Sequence, residues 1–234
     1  MAIVVGDLHG DIEKAKAFLG YRSDELHIAL GDYLDSYSIS PEQQLDCLQL
    51  LMDSNAVLLL GNHECHYLKN PLFSFAGYNL DYAQIFQDNL ESNIKRFKAA
   101  YAVDGWLCTH AGANSKITEP QIDVNQLADM FNNSWEIYLK HRMVDQHAEY
   151  PYQSIFWFNH CFYVEGNLLP TNITQIFGHM EHTRPIVEAN YIALDTTNYC
   201  NSCWLFDTAT NELVELPLEP KRGRIRITGG AWGI

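Results

Sequence analysis

Positive charge is scarce in this sequence. Lys and Arg number 15 against 29 Asp and Glu in 234 residues, a formal net charge of −14 with neutral histidines. Proteins that hold polyanions neutralise phosphates with clustered cations, so the shortage argues against nucleic acid as the main partner. It argues equally against docking on anionic lipid. Long apolar runs are missing too: no stretch approaches the ~20 residues of a membrane helix. The opening Met1-Ala2-Ile3-Val4-Val5-Gly6-Asp7 reads as a strand and lacks the basic start and apolar core of a signal peptide. A cytoplasmic protein with no membrane partner is therefore expected. Repeats, low-complexity tracts and Pro/Gly-rich linkers are also absent, so residues 1–234 are read as a single domain.

Cysteine follows no framework pattern. The six thiols at 47, 65, 108, 161, 200 and 203 are scattered, and Cys200-Asn-Ser-Cys203 has no second CxxC to complete a four-thiolate zinc site. With 47% apolar and 19% charged residues the composition is globular. A chain of this length buries roughly 70% or more of its unfolded surface and needs no staples.

What is present is a rhythm. Ala2–Val5 is a β-branched run followed by Gly6-Asp7-Leu8-His9-Gly10 and a stretch of helical period, Ile12–Leu19. Leu26–Leu30 is a second run, ending at Gly31-Asp32-Tyr33-Leu34-Asp35. Pro41–Met52 reads as a helix with proline in its first turn. Ala56–Leu60 is a third run, ending at Gly61-Asn62-His63-Glu64. Strand, helix, strand, helix, strand predicts a parallel α/β sheet with strands buried on both faces.

Farther on, Pro71–Ala102 reads as helical, with Phe86, Leu90, Ile94 and Phe97 at helical spacing. Trp106–Thr109 is a strand leading to His110-Ala111-Gly112, Val124–Arg142 a helix, and Ile173–Phe177 a strand delivering Gly178-His179. Tyr191–Asp195, Cys203–Asp207 and Glu212–Leu216 read as an antiparallel tail. Residues 63–105 and 114–172 read as helical regions between the strand-end motifs and are expected to carry specificity. The largest basic cluster, Lys221, Arg222, Arg224 and Arg226, reads as a solvated tail.

Ligands of open α/β sheets collect at the carboxyl ends of strands, so Asp7, His9, Asp32, Asp35, Asn62 and His63 should share one rim. Asp, His and Asn donors suit divalent Mn, Fe or Zn. With His110 and His179 from further strand ends, there are enough groups for two ions sharing Asp32. Two close ions are a standard device for attack on phosphorus.

The set GDLHG, GDYLD and GNHE, followed by THAG and FGH, resembles the calcineurin-like metallophosphoesterases, and most closely their bacterial and phage serine/threonine phosphoprotein phosphatase branch. The resemblance runs from Val4 to about Leu216. It implies a four-layer α/β/β/α sandwich with two mixed β-sheets and a dinuclear metal site at the strand ends. Asp7 and His9 would bind the first metal, Asp32 would bridge, and Asn62, His110 and His179 would bind the second. His63 would be the general acid, oriented by Asp35. Asn62 would also touch substrate, a phosphate ester.

The sequence departs from the family where phosphate is gripped. The second motif normally ends in arginine and here ends in Ser36. A second arginine usually follows a tryptophan, and Phe156-Trp157-Phe158-Asn159 offers Asn159 there. Serine and asparagine cannot clamp phosphate bidentately. Arg184 is the candidate replacement cation. His182 reads as a loop residue and His66 as a neighbour of the site. A metal-dependent phosphoesterase is the leading reading. The alternatives are a nucleotide phosphodiesterase or pyrophosphohydrolase, or a non-catalytic metal-binding scaffold.

Overall fold

The first strand sets the architecture. β1 (Ala2–Val5) is buried along its whole length, and its side chains divide by the two-residue period of a strand. Ala2 and Val4 enter one apolar cluster, Ile3 and Val5 another. In the computed structural model, which describes residues 1–72, 79–115, 122–141, 154–161, 169–196 and 202–219, β1 pairs parallel with β2 (Leu26–Ala29) and antiparallel with β10 (Ser202–Asp207). With β3 (Val57–Leu59), β4 (Phe97–Lys98) and β11 (Glu212–Pro217) they form a six-stranded mixed sheet in the order β11-β10-β1-β2-β3-β4. A five-stranded mixed sheet joins β5 (Ala100–Val103), β6 (Trp106–Thr109), β7 (Thr174–Phe177), β9 (Tyr191–Ala193) and β8 (Ile186–Val187) in that order.

The two sheets face each other. Ala2, Val4, Ile28 and Leu59 of the first share one buried cluster with Cys108, Ile176 and Ile192 of the second. The outer face of the first sheet is covered by α1 (Ile12–Gly20) and α2 (Pro41–Met52), whose Ala15, Phe18, Cys47, Leu48 and Leu51 pack with Ile3 and Val5. The second sheet's outer side is covered by α5 (Val124–His141), which lies on β5 and β6. Helix, sheet, sheet, helix is the expected layering. Local signals fix the helix starts: Asp11 accepts from Glu13 N and Lys14 N, and Ser40 caps α2 with Pro41 in its first turn.

Two expectations are corrected. The helix read over Pro71–Ala102 is α4 (Ala83–Asn93) followed by a 3₁₀ turn at Ile94–Arg96, after which the chain enters β4 and β5. Phe97 keeps its helical spacing from Ile94 by coincidence. Its backbone pairs with Leu58, so the open edge of the first sheet overrides the periodicity. The antiparallel tail is also divided between sheets. β9 pairs parallel with β7, while β10 and β11 pair antiparallel in the other sheet. The basic run at 221–226, Cys200 and Arg142 lie outside the described residues.

Candidate metal centre

Six strand ends, three from each sheet, meet at one edge of the sandwich. Asp7 follows β1, Asp32 follows β2, and Asn62 begins α3 (Asn62–Tyr67) after β3. From the second sheet, His110 follows β6, His179 follows β7 and Asp195 follows β9. Turning side chains inward so soon after a strand strains the backbone. Four non-glycine residues here hold left-handed conformations, His9 (φ 42°), Asp32 (51°), Asp35 (63°) and His179 (68°), each at a cost of roughly 1 kcal/mol or more. Glycine makes room beside them. A Cβ on Gly178 would lie 2.0 Å from Asp7 Oδ1, and one on Gly61 would lie 2.1 Å from Asp32 Oδ1.

Asp32 is central. Its Oδ2 lies 3.4 Å from His110 Nε2, 3.8 Å from His63 Nε2 and 3.9 Å from His9 Nε2, while Oδ1 accepts from His63 N at 3.1 Å. Asn62 Oδ1 sits 2.7 Å from His110 Nε2 and 3.0 Å from His179 Nδ1. His179 N donates to both oxygens of Asp7 at 3.1 Å. His63 Nδ1 lies 2.8 Å from Asp35 Oδ2. Two ligand groups emerge, His9–Asp32–His63 and Asp32–His110–His179, joined through Asp32.

The donor set fits divalent cations. Burial and the adjacent His179 hold His110 well below the usual imidazole range, so it is neutral. Its Nδ1–H is committed to Leu30 O at 3.0 Å, which leaves the Nε2 lone pair facing the Asn62 oxygen. Two acceptors at hydrogen-bond distance call for a positive charge between or beside them. His9 repeats the arrangement: Nδ1 bonds Leu34 O at 2.7 Å, leaving Nε2 towards Asp32. Burial and then His63 pull His9 down to about 4, and burial pulls His179 to about 3. The carboxyls move the other way. Burial, then the charges of Asp195 and Asp32, raise Asp7 well above the carboxylate range, and burial lifts Asp32. Neutral imidazoles beside crowded carboxylates make a donor set that suits cations.

The structure thus brings Asp7, His9, Asp32, Asp35, Asn62, His63, His110 and His179 to one place. Arg184 is exposed on the loop between β7 and β8, with no ion pair among the described residues. Ser36 N and O both bond the Gln44 side chain at 3.3 Å, and Asn159 Oδ1 accepts from Cys161 N. His66 is buried against the Tyr67 ring.

Sequence reasoning missed three contributors. Glu64 is fully buried and accepts from Asp32 N at 2.9 Å, Tyr33 N at 2.8 Å, Leu34 N at 3.3 Å and Gly61 N at 3.0 Å, fastening two ligand loops together. Tyr67 donates its hydroxyl to Asp35 Oδ1. Asp195 adds buried negative charge against Asp7 and His9. Its signal was available, since Tyr191–Asp195 is one more apolar run that ends on an acid.

A sequence model of the calcineurin-like phosphoesterases matches residues 2–205. Among solved structures, that of a candidate diadenosine tetraphosphatase aligns over 94% of this chain and 94% of its own, at 17% identity and a TM-score of 0.57. A metallophosphoesterase from Sphaerobacter thermophilus aligns over 94% and 88%, at 10% identity and a TM-score of 0.46. Identities this low speak of the fold alone.

Proposed function

The chain belongs to the calcineurin-like phosphoesterase family, and on that premise we propose that it hydrolyses phosphate esters at a dinuclear metal site. Asp7, His9 and Asp32 would hold one ion, and Asp32, Asn62, His110 and His179 the other. When bound, such ions lower the pKa of a water and clamp phosphoryl oxygens. The observation that carries the reading is the ring of lone pairs without protons, above all Asn62 Oδ1 against His110 Nε2.

His63 would serve as general acid. Burial works against its positive charge, but Asp32 and the bonded Asp35 outweigh burial and push it up to about 9. With ions on Asp32 the protonated ring would be kept by Asp35, to which Nδ1–H is donated, and Nε2–H would be turned towards the cleft for the leaving oxygen. Tyr67, bonded to the other oxygen of Asp35, would keep that carboxylate aimed. A non-catalytic scaffold has no use for such an acid and its orienting pair.

Asp32→Asn should lose bound metal and hydrolysis of p-nitrophenyl phosphate together, and unchanged values for both would sink the proposal. His63→Ala should cost ~10²–10⁴ in rate on an alkyl phosphate but far less on p-nitrophenyl phosphate, whose leaving group needs no proton.

A nucleotide-type diester or pyrophosphate substrate is the second reading. It is supported by Ser36 and Asn159, which stand where the resemblance expects guanidinium clamps. A monoester dianion gains most from such clamps. The ratio of rates on bis-p-nitrophenyl and p-nitrophenyl phosphate discriminates, and Ser36→Arg should shift it towards the monoester.

A further inference from the structure

Among the described residues, one cluster outside the dinuclear ligand set gathers metal-binding atoms. His160, Cys161 and His182 present ligand atoms that all lie within 4.8 Å of one another. His160 Nε2 is 3.5 Å from Cys161 Sγ, and the His160 and His182 rings stand 5.5 Å apart. With Zn–N of about 2.0–2.1 Å and Zn–S of about 2.3 Å, the N···S edge of a tetrahedral site is about 3.6 Å. The observed separation is that edge. His182 Nε2 is buried without a hydrogen-bond partner. Such an orphan ordinarily costs ~1–3 kcal/mol.

We propose that a ring nitrogen of His160, Cys161 Sγ and His182 Nε2 form a zinc-class metal site separate from the dinuclear centre. Imidazole and thiolate donors select zinc and other borderline-soft ions, whereas the dinuclear set offers no sulfur. Both histidines supply lone pairs, because burial holds each below the usual imidazole range, His160 at about 4. On binding, the Cys161 thiol gives its proton to solvent and the thiolate takes the ion. Three protein ligands leave a fourth position for water or a phosphate oxygen.

The placement gives the site a consequence. Asn159 Oδ1 already accepts from Cys161 N at 2.9 Å, which preforms the turn. Two residues before it, Trp157 lies 5.9 Å from the His179 ring. His182, three residues past His179, has its backbone N bonded to Asp195 O. An ion shared between Cys161 and His182 therefore pins the 154–161 segment to the β7–β8 loop and holds Trp157 over the rim of the phosphoester site. It also restores positive charge in the segment where Asn159 takes the place of an arginine.

The test is cobalt and zinc titration of the full-length, metal-stripped protein. Wild type should develop a thiolate-to-cobalt charge-transfer band in the near ultraviolet, and should bind one equivalent of zinc more than Cys161→Ser. Cys161 is exposed, so serine there leaves packing undisturbed, and an unchanged circular dichroism spectrum checks this. His182→Ala should abolish the band as well. In Asp32→Asn the band should persist, which separates this site from the dinuclear one whatever becomes of hydrolysis. Absence of the band in wild type, or its survival in Cys161→Ser, overturns the assignment.

Discussion

Removing metal should make folding stability depend on pH in a way the loaded protein does not. Asp32 is pushed up to about 8 in the fold against 3.8 in an unfolded chain, and His63 to about 9 against 6.5. Both pKa values are raised, so each group's contribution is complete below its unfolded value and is lost as pH rises through the folded one. The depressed histidines have the opposite sign. His9 at about 4 and His179 at about 3 lose stability only as pH falls below 6.5, so they are silent above it. The window is therefore about pH 6.5 to 8. Asp32 Oδ2 and His63 Nε2 are 3.8 Å apart and favour each other's charged forms, so the pair retains about one proton more than the unfolded chain. One proton corresponds to ~1.4 kcal/mol per pH unit. The metal-free protein should thus lose ~2 kcal/mol across the window, or ~4–8 °C in Tm for a domain of this size. A divalent ion beside Asp32 neutralises that carboxylate and weakens its hold on the proton, which His63 then keeps through Asp35. Saturating Mn²⁺ should flatten the dependence, so the gap in Tm between loaded and EDTA-treated protein widens as pH rises. Groups far from the site cancel in that difference. A gap that is constant or narrows from pH 6.5 to 8 would refute the reasoning.

Two substitutions test how the ligands are held. Gly178→Ala puts a methyl 2.0 Å from Asp7 Oδ1. The carboxylate must turn away, and metal affinity should fall about 10–100-fold with an unchanged circular dichroism spectrum; calorimetric metal titration measures it. Glu64→Gln replaces an oxygen that accepts two backbone N–H groups with an amide that must face them as a donor. Urea denaturation should show a loss of ~2–5 kcal/mol, and metal affinity should drop because Asp32 and Gly61 share that anchor.

The legible parts of this molecule are the local ones. Ala2–Val5, Pro41–Met52 and Trp106–Thr109 have the spans their sequences announce, because period, capping residue and apolar run all lie within a few residues of one another. The rim was legible for the same reason. A strand that stops at Gly-Asp, Gly-Asn or Gly-His delivers its polar group to a place the fold class already fixes. Glu64 was not legible, since its four partners come from loops up to 32 positions away and nothing local marks it as an acceptor. Nor was Phe97, whose strand exists only because β3 offers an open edge. The meeting of His160 and Cys161 with His182 belongs to the same class: the residues are visible, and their proximity depends on the loops between.

The shortage of cations and the strain at the rim answer the same requirement. Left-handed backbone at His9, Asp32, Asp35 and His179 costs roughly 1 kcal/mol or more per residue. Asp7, Asp32, Glu64 and Asp195 add four buried carboxyls. These terms rival a typical folding stability of ~5–15 kcal/mol, and the paired sheets beneath must over-determine the geometry for it to persist. A lysine or arginine set among Asp7, Asp32 and Asp195 would relieve the metal-free protein by neutralising them. It would also occupy the position of an ion and weaken metal binding by the energy it had supplied. If this rim holds divalent metal as proposed, the scarcity of positive side chains around it among the described residues is a condition of affinity.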